Sequence, residues 1–176
     1  MNMPGLRLLP AALLVGASLS GCSLVFPETC DGTEAALAEL DKVSALTLRP
    51  ARATPVGGEA GTAPHCTEDT GGAWLTAQRT YAYDGSRKEI LDYFGREAPA
   101  AGWRPVESLD SERTRDFVVF CFESKKHPSL TLSFDSPDNL REFYGIDPGP
   151  APAVPGSRIW FSVSVEATPD GHRMDC

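Results

Sequence analysis

Apolar residues recur along this chain with two different periods. From Ala73 to Tyr83 they alternate, with Leu75, Ala77, Tyr81 and Tyr83 on one side and Trp74, Thr76, Gln78 and Thr80 on the other, which predicts a strand. Asp84-Gly85 turns the chain. Ser86 then caps a helix with Glu89 three positions on, and Ile90, Leu91, Phe94 and Ala98 form its stripe; Pro99 loosens the last turn and Gly102 ends it. An earlier helix is predicted over Asp31 to Leu46, with Asp31 as cap, Glu34 completing the capping box, and Ala36, Leu37, Leu40 and Val43 at helical spacing. Trp103 to Glu107 reads as an edge strand, because Pro105 interrupts it. Leu109 to Asp116 reads as a charged turn. Phe117 to Glu123 is apolar on both faces, which predicts a central strand covered on two sides. After a hairpin at Lys125 to Pro128, Leu130, Leu132 and Phe134 alternate with Thr131, Ser133 and Asp135. Finally Ile159, Phe161, Val163 and Val165 alternate with Trp160, Ser162 and Ser164 in a strand over Arg158 to Glu166.

Two stretches lack such periodicity. Arg49 to Gly72 carries Pro50, Pro55, Pro64 and several glycines and reads as a loop pinned by Cys66. Ser136 to Ser157 is longer than a hairpin needs and holds Leu140, Phe143, Tyr144 and Ile146 and then Pro148, Pro150, Pro152 and Pro155; long loops in compact domains are disproportionately functional. The element order predicts an α+β domain: a largely antiparallel sheet of about four to five strands with two helices.

The first residues follow a different logic. Arg7 precedes an uncharged run from Leu8 to Ser20, which is a secretory signal layout. The run is too short for the roughly 20 residues of a bilayer-spanning helix and contains Pro10. It ends in Leu19-Ser20-Gly21-Cys22, which resembles the cleavage box of type II signal peptides in bacterial lipoproteins. That resemblance implies removal of residues 1–21, lipidation of the Cys22 thiol by diacylglycerol and palmitate-type chains, and anchoring at the extracytoplasmic face of the cell membrane. Residues 22–30 would then form the anchor and tether, and 31–176 one globular domain. The segment from Tyr81 to Trp103, ending in Ala-Ala-Gly-Trp, is similar to a layout in small lipoproteins of high-GC Gram-positive bacteria.

Charge narrows the partners. Residues 1–21 hold one Arg and no acid, so the remaining 155 residues carry 15 Lys+Arg against 24 Asp+Glu, a net charge of −9. An acidic chain argues against nucleic acid and against broad adhesion to anionic headgroups. Seven residues, Ser23 to Thr29, separate Cys22 from Cys30; fully extended they span roughly 25 Å, so the domain would sit near the membrane.

With Cys22 committed to lipid, Cys30, Cys66, Cys121 and Cys176 predict two disulfides in an exported chain. Three pairings are open; the expectation leans to Cys66 with Cys121, and Cys30 with Cys176, which would join the chain ends. Spacing offers no C-x-x-C and no second half-site among His65, His127 and His172, so no metal or cofactor is expected.

Catalytic motifs are equally scarce. The chain has no Ser-x-x-Lys, no His-Glu-x-x-His, no Gly-x-Ser-x-Gly after residue 21 and no phosphate-cradling glycine loop. Acids close in sequence, Asp110, Glu112 and Asp116 or Asp135 with Asp138, could converge as a hydrolase pair. The favoured expectation is a non-catalytic binding or scaffolding module for an envelope protein. Its candidate surface is the sheet face carrying Trp74 and Trp160. The alternative is a small-molecule or lipid pocket lined by Tyr81, Tyr83, Phe94 and Phe120.

Overall fold

The computed structural model describes residues 29–58, 63–70, 72–109, 118–150, 158–172 and 174. The signal segment, Leu19, Ser20, Gly21, Cys22, Cys176, and all of the charged turn after Leu109 lie outside them. The fold is α+β, as expected. Its centre is one antiparallel sheet of seven strands, ordered β1-β3-β7-β6-β5-β4, with β2 also paired to β3. The strands are β1 (Thr54–Val56), β2 (His65–Asp69), β3 (Gly72–Asp84), β4 (Arg104–Pro105), β5 (Val118–Glu123), β6 (Ser129–Asp135) and β7 (Arg158–Ala167). No described helix is long and apolar enough to cross a membrane.

The alternating strands behave as their patterns require. Leu75, Ala77 and Tyr81 of β3, Leu130, Leu132 and Phe134 of β6, and Phe161, Val163 and Val165 of β7 all point into one core. Helix α2 (Arg87–Ala100) covers that face with Ile90, Leu91, Phe94 and Ala98, and its Ser86–Glu89 capping box is formed. The turn before it needs Gly85, because a Cβ there would lie 2.3 Å from the Tyr83 ring. Arg79 shares the inward face of β3 yet reaches its rim, where it meets Asp41 at 2.7 Å.

Four expectations are corrected. The first helix, α1 (Glu34–Leu40), is shorter than predicted: the chain turns at residues 30–33 through Gly32 at φ +75°, so Thr33, not Asp31, precedes it, and residues Ser44–Thr47 form a separate 3₁₀ turn. The proposed loop over Arg49 to Gly72 contains β1 and β2. These strands are polar and one holds a proline, so they carry no period-two signal; they form because β7 covers one edge of the long β3 and the other edge offers backbone groups to pair, to β1 at Thr80–Ala82 and to β2 at Gly72–Thr76. A third helix, α3 (Pro137–Tyr144), lies in the second aperiodic stretch. β5 is one strand from the edge rather than central, and Val119 is 37% exposed.

The expected pairing of Cys66 with Cys121, and of Cys30 with Cys176, is overturned: the disulfide found among the described residues joins Cys30 to Cys66, with Cα atoms 5.7 Å apart. Topology gives the reason. Cys66 sits on β2 at one edge, whereas Cys121 sits on β5, across β3, β7 and β6. At about 4.8 Å per strand that gap is roughly 19 Å, and a bridge tolerates about 7 Å.

Candidate functional site

The second face of the sheet is unlike the first. Antiparallel register stacks its side chains in rows: Thr76, Glu166 and Ser129; Gln78, Ser164 and Thr131; Thr80, Ser162 and Ser133; Ala82, Trp160 and Asp135. Period-two alternation made these positions the outward ones, and polar residues are ordinary there when water covers them. Here water is largely excluded. Of the nine buried polar or charged residues among those described, seven belong to this face: Thr76, Thr80, Ser129, Ser133, Asp135, Ser162 and Ser164.

Helix α3 lies across part of the face. Ser136 accepts from the Asn139 N–H at 3.1 Å to start it, and Gly145, at φ +62°, stops it. Leu140 and Ile146 then pack on Ala82 and Trp160 as a small second core. The Trp160 indole donates to the Pro148 carbonyl at 3.2 Å, which ties the following loop down. Sequence reasoning missed α3 because eight residues with one buried apolar side chain make no stripe. The legible signals were Pro137 just inside the start and Gly145 just past the end.

Under this cover the hydroxyls form one continuous network. The Ser162 hydroxyl donates to Asp135 Oδ2 at 2.9 Å and lies 3.0 Å from Thr80 Oγ1. Gln78 Nε2 donates to both Thr80 and Ser162 at 3.2 Å, and Gln78 Oε1 accepts from Ser164 at 3.2 Å. Asp135 Oδ1, fully buried, has no hydrogen-bond partner within reach among the described residues. Burial pushes the Asp135 carboxyl above its ordinary range, against the pull of the Ser162 hydroxyl. Burial likewise raises the Glu166 carboxyl. The Tyr144 phenol is raised too, first by burial and then by the negative charge of Asp135.

A cleft of about 440 Å³ opens where α3 ends. Its walls are Ala63, His65, Thr76, Gln78, Phe143, Tyr144 and Glu166. Phe143 is 76% exposed, an aromatic ring left in water at the rim. The cleft therefore offers a carboxylate, hydroxyls and ring faces, with neither Lys nor Arg among its described walls.

The residues expected to carry function are placed apart. Trp160 is buried beneath α3, while Trp74 is half-buried on β3 opposite Thr67. They share a face, but Trp160 opposes Ala82, eight residues along β3 from Trp74, so roughly 26 Å separates them and they form no single patch. Tyr81, Tyr83, Phe94 and Phe120 are packed core, each at most 4% exposed. Asp138 is exposed and pairs with Arg141 at 3.2 Å, so it does not converge with buried Asp135. The remaining acids of the proposed pairs, at 110, 112 and 116, lie outside the described residues. No cluster of His, Cys, Asp or Glu suited to a metal occurs among the described residues.

The buried carboxyl makes a prediction. A carboxyl whose folded pKa is raised holds its proton in the native state while the unfolded chain has lost it. Stability then falls as pH rises from the unfolded value to the folded one and stays lower above it. Asp135→Asn should raise stability at pH 7 by about 1 kcal/mol and flatten that acid-side slope. Urea unfolding from pH 4 to pH 8 measures both; a steep loss at all pH values would mean the ionised carboxylate holds the network together.

Comparison with family models, with curated proteins and with solved structures finds no match for this chain.

Proposed function

We propose that this protein is a membrane-anchored extracytoplasmic lipoprotein, a non-catalytic binding module whose ligand or partner engages the cleft between α3 and the hydroxyl-lined sheet face. The observation that carries the reading is the polar face itself. Burying hydroxyls and carboxyls under a helix stabilises less than apolar packing would, and Asp135 Oδ1 finds no donor among the described residues. Such an arrangement is worth keeping where a ligand uses it. Localisation rests on Arg7, the uncharged run and the Leu19-Ser20-Gly21-Cys22 box. The Cys30–Cys66 bridge would fasten the seven-residue tether to the edge of the sheet. Cys121 is disulfide-bonded as well.

Cys22→Ala should block lipidation and the cleavage that depends on it. Mass spectrometry should then find an unacylated chain that keeps residues 1–21, and fractionation should find its processing and acyl-dependent retention lost. A wild-type mature mass with wild-type retention would overturn the anchor. The binding surface is tested by a photo-crosslinking residue placed at Phe143 or, as control, at exposed Arg96 on α2. One envelope component captured in intact cells from position 143 and not from 96 supports the cleft. Equal capture from both positions, or none from 143, overturns it.

A further inference from the structure

The cleft's chemistry points to the class of ligand. We infer that it seats an ammonium group, primary or quaternary, between the Glu166 carboxylate and the rings of Phe143 and Tyr144. This rests on the reading of the cleft as the binding surface and deepens it.

Four observations converge. The described walls hold one carboxylate, one exposed imidazole and no Lys or Arg, so among them nothing with a fixed positive charge opposes a cation. Glu166 is partly buried, burial raises its carboxyl, and its side chain has no ion-pair or hydrogen-bond partner among the described residues. Two aromatic side chains stand beside it, and ring faces attract ammonium groups, most strongly where water is thin. The rings belong to the last turn of α3, whose C-terminal end carries the negative pole of the helix dipole.

The competing occupant is a neutral polyol, which would also stack on a ring and hydrogen-bond to a carboxylate. Donor supply separates the two. Both Gln78 N–H bonds are spent on Thr80 and Ser162, which leaves the Thr76 and Tyr144 hydroxyls and the His65 imidazole as the donors among the described walls; a polyol finds few donors here, whereas a quaternary cation needs none. Behind them Asp135 adds a second carboxyl close enough to act on the Tyr144 phenol.

The test uses the full protein purified from membranes in non-ionic detergent and a matched pair of probes: choline, and its uncharged isostere 3,3-dimethylbutan-1-ol. Broadening of each probe's sharp nine-proton NMR signal reports binding. Choline should bind in roughly the millimolar range, as befits a small fragment, and the isostere about tenfold more weakly or worse. Glu166→Gln should bring choline down to the level of the isostere, and Phe143→Ala should weaken it several-fold. Choline's charge is fixed, so its binding should weaken as pH falls through the raised Glu166 pKa. The groups facing Glu166 are Thr76 on β3, Ser129 on β6, Tyr144 on α3 and His65 on β2. The profile is repeated in His65→Gln, which takes the imidazole out of it.

Vesicles with and without phosphatidylcholine, offered as competitors, distinguish a lipid headgroup from a soluble amine as the source. Equal binding of choline and isostere, no binding of either, or wild-type choline binding by Glu166→Gln overturns the inference. Capture at position 143 persisting alongside any of these results leaves the cleft as a binding surface for a ligand that is not cationic.

Discussion

Phe161→Ala should cost about 3–5 kcal/mol of stability, the largest loss expected from any single substitution in this protein. Phe161 is completely buried at the middle of β7, the strand that lies between β3 and β6. Its ring lies 5.4 Å from that of Tyr81 and 6.2 Å from that of Phe94, so it ties β3 and α2 to the sheet's centre. Truncation removes those contacts and leaves a cavity that rigid strands on both sides cannot close. For a domain of this size the melting temperature should fall by about 10 °C or more. Urea unfolding would show it as a lower midpoint with an unchanged slope. Phe161→Leu, which keeps most of the volume, should lose far less; equal losses in the two variants would mean that the site resists any change of shape. The variant also bears on function. Trp160 and Ser162 flank Phe161 on the opposite face, so loosening the centre of β7 should disturb the hydroxyl network as well.

Removing the Cys30–Cys66 bridge should cost about 4 kcal/mol. The bridge closes a loop of 36 residues, and the chain-entropy account gives roughly that value for a loop of this length. Local structure makes a large figure reasonable. β2 is held on one side only, by β3, and its side chains His65, Glu68 and Asp69 are exposed. Without the bridge this strand keeps backbone pairing and little burial, so it should open ahead of the rest. Hydrogen exchange in Cys30→Ala/Cys66→Ala should therefore rise first at residues 65–69, and denaturant unfolding gives the total loss. A loss under 1 kcal/mol would show that β2 stays ordered by pairing alone. Because His65 lines the cleft, the same variant should bind a cleft ligand more weakly than the folded fraction alone explains.

Both results concern how a rigid core presents a polar face. The apolar side of the sheet, capped by α1 and α2, fixes the strands' register. That register then decides which hydroxyls meet on the other side. Ser162 bonds Asp135 only because β6 and β7 pair so that Asp135 stands opposite Trp160 and Ser133 opposite Ser162. A one-residue slip would send the whole hydroxyl set into the apolar core, which is why the network can be built from residues spread over β3, β6 and β7.

Local pattern in the chain determined a good deal without tertiary information. The period-two runs in β3, β6 and β7 placed each side chain on its correct face, because alternation is a property of the extended backbone. Ser86 and Glu89 placed the start of α2, because a capping box is satisfied within four residues. Other features depended on partners distant in the chain. β1 and β2 exist because the edge of β3 that β7 leaves free needs backbone partners, and their own residues say nothing of it. The bond between Cys30 and Cys66 followed from strand order, which places β2 and β5 on opposite sides of the sheet. The cleft was hidden for the same reason. Ser162, Thr80, Gln78 and Asp135 each read as a solvated outward residue, and they became a buried network only when α3, a helix too short to show a stripe, crossed their face. Period and caps are local and can be read along a chain; which outward face is then covered is decided by long-range packing, and that decision made the site.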